Sequence, residues 1–281
     1  MKIFYLWFLF KTMLCGCQAE RQQHNNLAKV RARYKISKTG KLPTVAHESS
    51  GLARGQGGTT FWTHNDSGGE SVLYEIDYRG ALVSTYQVSD VPNQDWEDLA
   101  QSPEGVLYIA DTGNNSNTRR SFQIYAVTPE TSAVETITFR YADQDSLSSL
   151  TNGSQQYDCE AIFYYNQKLY LFSKNRIKTD HPVKLYEIPA KAGDYVATPI
   201  DSIHIQGQVT GADISPDGKT FALLTYGKIV LFGVESGRIS FCQPQGCLRL
   251  VRKQTEGIMF LNNSDILVTN EQRQVFKLML R

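Results

Sequence analysis

The stretch "DWEDLAQSPEGVLYIADTGNN", Asp95 to Asn115, sets five carboxylates into a run that otherwise alternates as β-structure does. Acidic residues recur elsewhere in similar company: Asp66 in "THNDSGG", Glu160 in "YDCEAI", Glu256 in "QTEGI" and Glu271 in "TNEQ". Carboxylates gathered in one place can do three kinds of chemistry. They can hold a hard cation, and calcium takes about six to eight oxygen ligands. They can act as general acids or bases if their neighbours raise their pKa values. They can also bond backbone amides in turns, a structural role that Asp66-Ser67-Gly68 and Asp111-Thr112-Gly113 suit well.

Other catalytic signals are absent. No GxSxG, HExxH or P-loop occurs, nor a GxGxxG run opening a helix. Of the five histidines only His64 lies near the acidic positions, and it reads as a hydrogen-bonding residue. With 29 basic and 28 acidic residues over 281, no basic block suggests nucleic acid.

A repeat positions the carboxylates. "SSGLARG", "WEDLAQS", "CEAIFYY", "VTGADIS" and "TEGIMFL" share a polar or acidic start, a small or acidic second residue and then an apolar run. Their leading residues, Ser50, Glu97, Glu160, Thr210 and Glu256, are 47, 63, 50 and 46 residues apart, the period of a propeller blade. Each copy reads as short strands separated by Gly, Pro and Asp turns. The expected fold is therefore an all-β propeller over residues 32–281, with five four-stranded blades. The last copy lacks a fourth strand, and "ARYKISKTG" from the N-terminus is expected to supply it. Six blades are the alternative. The insertion "ADQDSLSSLTNGSQQ" accounts for the 63-residue spacing; Asp143 and Asp145 in it could bind a cation, but the composition favours a solvated loop.

In such a disc the start of strand one and the end of strand two meet at one channel mouth. Ten positions then converge: Ser50, Glu97, Glu160, Thr210 and Glu256 with Asp66, Asp111, Lys174, Tyr226 and Glu271. Six are carboxylates and one is a lysine. The expected metal ligands are Glu97, Glu160, Glu256, Asp66 and Asp111, with Asn65, Asn114 and Asn270 beside them. Asp66, Asp111, Lys174, Tyr226 and Glu271 are the expected ligand-binding set. Trp96 and Cys159 read as packing residues.

The N-terminus has its own logic. Met1-Lys2 precedes an apolar run from Ile3 to Phe10, and "LCGC" follows. Residues 1–16 read as an export leader, with Cys17 as the lipidated residue of a lipoprotein and 17–31 as a polar tether. The destination is a bacterial cell envelope, the outer membrane if the cell is Gram-negative. Cys242 and Cys247 flank a Pro-Gln-Gly turn, as a local disulfide or as two partly buried thiols.

"DWEDLA", "LYIADTGNN", "ITFRYAD", "YDCEAI", "VTGADISPDG" and "TEGI" together resemble a family of exported bacterial β-propellers akin to the phytase-like and SdiA-regulated groups. The resemblance spans about residues 47 to 281. It implies an envelope protein that binds calcium or a small ligand. Gly211 departs from it, standing where an acidic residue would reinforce the ring. Three functions follow as expectations. The first is a module whose acidic mouth binds a cation, a small ligand or an envelope protein. The second is a calcium-dependent phosphoesterase-like or lactonase-like hydrolase. In it Glu97, Glu160 or Glu256 acts as base, and Lys174 or Arg176 holds an anion. The third is a protein-interaction scaffold.

Overall fold

A computed structural model describes residues 17–18, 27–144, 157–174, 182–250 and 254–281. The chain is all-β and almost without helix. A two-residue strand, β1 (Ala28–Lys29), and a longer one, β2 (Tyr34–Lys41), come first. Five sets of strands follow the sequence repeat. The first is β3 (Ser49–Arg54), β4 (Thr60–Asn65), β5 (Val72–Asp77) and β6 (Leu82–Gln87). The second is β7 (Trp96–Gln101), β8 (Leu107–Asp111), β9 (Phe122–Thr128) and β10 (Ala133–Tyr141). The third is β11 (Cys159–Tyr165), β12 (Lys168–Ser173), β13 (Val183–Pro189) and β14 (Gly193–Ile203). The fourth is β15 (Val209–Ile214), β16 (Thr220–Thr225), β17 (Lys228–Gly233) and β18 (Pro244–Arg249). The last is β19 (Thr255–Phe260), β20 (Ile266–Asn270) and β21 (Gln274–Leu280).

Within each set consecutive strands pair antiparallel, and β2 pairs antiparallel with β21. The strand from the N-terminus thus completes the last sheet. The outer strands β10 and β14 pair parallel, which merges the second and third sets into one eight-stranded sheet. The apolar residues form five clusters, each between the faces of consecutive sets, and one of them joins the last set to the first. The first strands touch in sequence: β3 on β7, β7 on β11, β11 on β15, β15 on β19, and β19 back on β3. Alternating Ile, Leu, Phe and Tyr give every sheet two apolar faces, so each sheet is buried from both sides.

Polar staples from the first two strands fix neighbouring sets to one another. Ser50 Oγ donates to the Glu97 carbonyl, Thr112 Oγ1 to the Cys159 carbonyl (2.7 Å) and Thr210 Oγ1 to the Thr255 carbonyl (2.7 Å). Ser49 and Thr269 hydroxyls bond across the closure at 3.1 Å. Asp98 is fully buried, and its carboxylate accepts from the N–H groups of Leu99 (2.8 Å), Ile162 (2.8 Å) and Ala212 (3.2 Å). One side chain on β7 therefore ties down β11 and β15. Gly211 is explained by the same crowding: a Cβ there would sit 2.5 Å from the Glu256 carbonyl oxygen, so β15 and β19 can approach only with glycine at this position.

Two expectations about the N-terminus and the cysteines change. The fold begins before residue 32: β1 pairs parallel with β18, and Leu27 and Val30 are buried in the core. The disulfide joins Cys17 to Cys247, not Cys242 to Cys247. Strand β18 turns Cys247 into the apolar interior beside Cys17, whereas Cys242 lies exposed before the strand begins. Residues 1–16, expected to be an export leader, lie outside the described residues, as does Asp145. Asp143 is not free in solvent but half-buried; it takes Lys184 Nζ at 2.5 Å and Tyr186 Oη at 3.2 Å. No helix among the described residues is long and apolar enough to cross a membrane.

A chain expressed without residues 1–16 and never lipidated should titrate two thiols after denaturation, Cys159 and Cys242. Peptide mapping should recover Cys17 linked to Cys247. A Cys242–Cys247 linked peptide would contradict this pairing.

Candidate functional site

All five leading residues are the second residue of their first strand: Ser50 of β3, Glu97 of β7, Glu160 of β11, Thr210 of β15 and Glu256 of β19. In every case the register with the next strand slips at that point, so the leading residue falls in a β-bulge. A bulge frees one residue from the ladder and re-aims its side chain. The repeat thus delivers one polar side chain per set to the same end of the fold.

The side chains form a circuit. Asp66, Asp95 and Glu97 make one group whose ligand oxygens all lie within 4.8 Å of one another, and Glu97, Asp158 and Glu160 make a second. Glu97 belongs to both. Glu160 forms an ion pair with Lys174, both almost fully buried. The Lys174 ammonium stands 5.7 Å from the centre of the Tyr226 ring, and Tyr226 Oη donates to Glu256 at 3.2 Å. Glu256 is hydrogen-bonded to Glu271, which also accepts from Gln254 Nε2. The charge of Asp66 acts on Glu271 and closes the loop.

Among the described residues seven carboxylates stand around one ammonium, and they cannot all ionise at their ordinary pKa values. Burial comes first, and the neighbouring acids add to it. Glu97 is pushed well above the usual range by burial, then by Glu160, Asp66 and Asp158, with Lys174 opposing. Burial and Glu271 push Glu256 up to about 8. Glu271 rises to about 7, chiefly through burial. Asp95 rises to about 6 through burial and the charges of Asp66 and Asp158. Asp66 is also raised, burial leading. At neutral pH the ring therefore keeps some of its protons.

The structure brings together Asp66, Glu97, Glu160, Glu256, Lys174, Tyr226 and Glu271. Ser50 and Thr210 serve as the staples described above. Asp111 is the exception. It is completely buried, pairs with Arg119 at 2.8 Å, and accepts from the backbone N–H groups of Gln94 and Asp95. Its charge is spent on ordering the loop before β7, so it is a poor candidate ligand. The three asparagines are similarly engaged: Asn65 bonds Val45 and Glu48, Asn114 bonds Tyr157 and Arg119, and Asn270 bonds Gln274. Arg176 lies outside the described residues. His64 is buried, bonded to the Asn65 carbonyl at 3.0 Å, and held neutral with a pKa lowered to about 4 by that burial. Trp96 and Cys159 are packing residues, fully enclosed in the apolar clusters.

Asp95 and Asp158 escaped the reading of the repeat, although a signal existed. Each stands two residues before a leading glutamate, as Asp95-Trp96-Glu97 and Asp158-Cys159-Glu160. The shared D-x-E spacing in adjacent copies marks both. Gly113 leaves room for Asp95 and Glu97: a Cβ there would lie 2.2 Å from the Asp95 carboxyl carbon and 2.3 Å from Glu97 Oε1.

No protein-family model matches the chain, and no curated protein matches it. Among solved structures, a luciferin-regenerating enzyme is similar over 88% of this chain and 95% of its own, with a TM-score of 0.55 and 10% identity. At that identity the likeness concerns the fold alone, and it supports a β-propeller.

The raised acids set a sign for stability against pH. Each binds its proton more tightly folded than unfolded, so its contribution is complete below the unfolded value and is lost as pH climbs through the folded one. In chelator, the melting temperature should fall between about pH 5 and pH 8. Glu256→Gln should flatten the upper part of that fall. A melting temperature that rises over this window in chelator would show that the ring is not protonated.

Proposed function

We propose that the chain is a five-bladed β-propeller, exported to the cell envelope, whose acidic ring binds a divalent cation, calcium by the chemistry of its donors. The single observation that carries this reading is the pair of carboxylate triads sharing Glu97, with ligand oxygens within 4.8 Å. Asp66, Asp95, Glu97, Asp158 and Glu160 offer hard oxygen donors and no sulfur or imidazole, a set suited to calcium or magnesium rather than to zinc or copper. The cation would replace the retained protons and relieve the mutual repulsion. Five first strands touching in a closed cycle support the blade count. The leader pattern of residues 1–16 supports export; lipid on Cys17 as the membrane anchor would belong to a form in which Cys17 is not bonded to Cys247.

A second reading, a metal-dependent hydrolase, is favoured by one feature. Glu256 and Tyr226 form a hydrogen-bonded, proton-holding pair beside the cation ligands, as a general acid or base requires. It predicts calcium-dependent turnover of a phosphoester or lactone that Glu256→Gln abolishes.

Calorimetric titration with calcium should give saturable binding that raises the melting temperature. Glu97→Gln, present in both triads, should weaken it about tenfold or more. Asp111→Asn should lower the melting temperature but leave the dissociation constant within about twofold, since it acts through Arg119. Absence of binding at millimolar calcium refutes the proposal. A sulfur in a disulfide cannot carry a thioether-linked lipid, so the two forms of Cys17 differ in mass. Protein from cell membranes should carry acyl chains that Cys17→Ser removes; acyl-free protein in the soluble fraction alone would overturn the anchor.

A further inference from the structure

Over the whole chain 29 basic residues balance 28 acidic ones, but the balance fails at one edge of the fold. Between Glu20 and Glu48 no acid occurs, and six basic residues lie within that interval: Lys29, Arg31, Arg33, Lys35, Lys38 and Lys41.

The fold lays this run along its outside. Lys29 ends β1, the outermost strand of the fourth sheet. Arg31 and Arg33 belong to a short helical turn that leads to the last sheet, where Lys35, Lys38 and Lys41 lie on the outermost strand, β2. Five of the six are exposed; Arg31 is half-buried, its guanidinium on the Tyr34 carbonyl at 2.9 Å. None of them forms an ion pair with a carboxylate of the described residues. Arg281 joins the group, since its N–H donates to the Arg33 carbonyl at 2.8 Å. Asp265 is an acid close to Tyr34, but its carboxylate is engaged by Leu280 N–H at 2.8 Å and Asn262 Nδ2 at 3.0 Å.

Lysine on an edge strand often serves only to prevent pairing with another chain. That role does not account for this run. Strand β6, outermost in the first sheet, carries no charge from Leu82 to Gln87, so the fold does not guard its edges this way as a rule. The run also begins before β2. An apolar pair adjoins it: Met279 stands opposite Lys35 and Leu280 opposite Tyr34, and both are exposed. Cations beside exposed apolar side chains suit a lipid surface, where the charges meet headgroup phosphates and the apolar residues enter the acyl boundary. A nucleic acid would meet the same charges but make no use of Met279 and Leu280.

Two further features agree. The described chain enters the core at Leu27, two residues before Lys29 and ten after Cys17, so a lipid on Cys17 would hold this edge near the membrane. Strand β21 runs from Gln274, close after Glu271 of the acidic ring, to Leu280. The apolar pair thus lies at the end remote from the ring, which limits repulsion between ring and anionic lipid.

We propose that the edge made by Lys29 to Lys41 with Met279 and Leu280 docks on an anionic phospholipid surface. The contact is separate from the cation site and does not require lipid on Cys17.

The test is co-sedimentation of the non-acylated chain of residues 17–281, which holds every described residue, with vesicles of phosphatidylglycerol and phosphatidylcholine in equal parts. The chain should bind them, and raising sodium chloride from about 0.1 M to about 1 M should release it, because the screening length falls from about 10 Å to about 3 Å. Vesicles of phosphatidylcholine alone should bind it at least about tenfold more weakly. Lys35→Glu with Lys38→Glu, both at exposed positions, should weaken binding to the anionic vesicles about tenfold or more with the melting temperature unchanged. Met279→Ser with Leu280→Ser, which keeps every charge, should weaken it about fivefold. Absence of binding to the anionic vesicles, equal binding to phosphatidylcholine alone, or full affinity in either double variant overturns the proposal. So does tighter binding to a DNA duplex than to the anionic vesicles.

Discussion

Among the described residues, seven carboxylates share one largely buried ring with a single ammonium group, and the rest of the molecule can be understood as what makes that arrangement tolerable. Ionised acids at this spacing repel, and burial multiplies the cost. Three devices offset it: the ion pair of Glu160 with Lys174, the retained protons of Glu97, Glu256 and Glu271, and the hydrogen bond from Tyr226. Lys174 is the shared counter-charge, since it lowers the pKa values of Asp66, Glu97 and Glu256 together. Such a ring is held at a cost in stability, which a bound cation can return.

The scaffold must resist that repulsion. Closure does so: the strand from the N-terminus completes the last sheet, and the first strands touch in an unbroken cycle. Hydroxyl staples from Ser50, Thr112 and Thr210 and the three-way carboxylate of Asp98 fix the first strands at the centre. The apolar clusters between sheets supply the bulk of the cohesion. A rigid frame of this kind holds charged side chains where chain entropy alone would let them separate.

Much of this was legible in the residues. The spacing of Ser50, Glu97, Glu160, Thr210 and Glu256 marked the first strand of every set, because the same bulge recurs in each. The missing fourth strand of the last copy pointed to Ala32–Gly40, where the structure has β2 at Tyr34–Lys41, because unpaired sheet edges are unfavourable. The site was less legible. Asp111 and Asp66 occupy equivalent ends of strand two, yet only Asp111 meets an arginine, from a loop whose path the repeat does not specify. The Cys17–Cys247 bond likewise joins residues 230 apart, a contact that local turn chemistry around Cys242 could not reveal.

The central claim is that the ring trades protons for a divalent cation. Its most direct measurement is calcium binding by calorimetry at pH 7 in two buffers of different ionisation enthalpy, which counts protons exchanged per ion. Release of one or more protons per calcium bound is the expected result, as Glu97 and its neighbours ionise to become ligands. Calcium binding with no proton release, or no binding at all, would contradict the account.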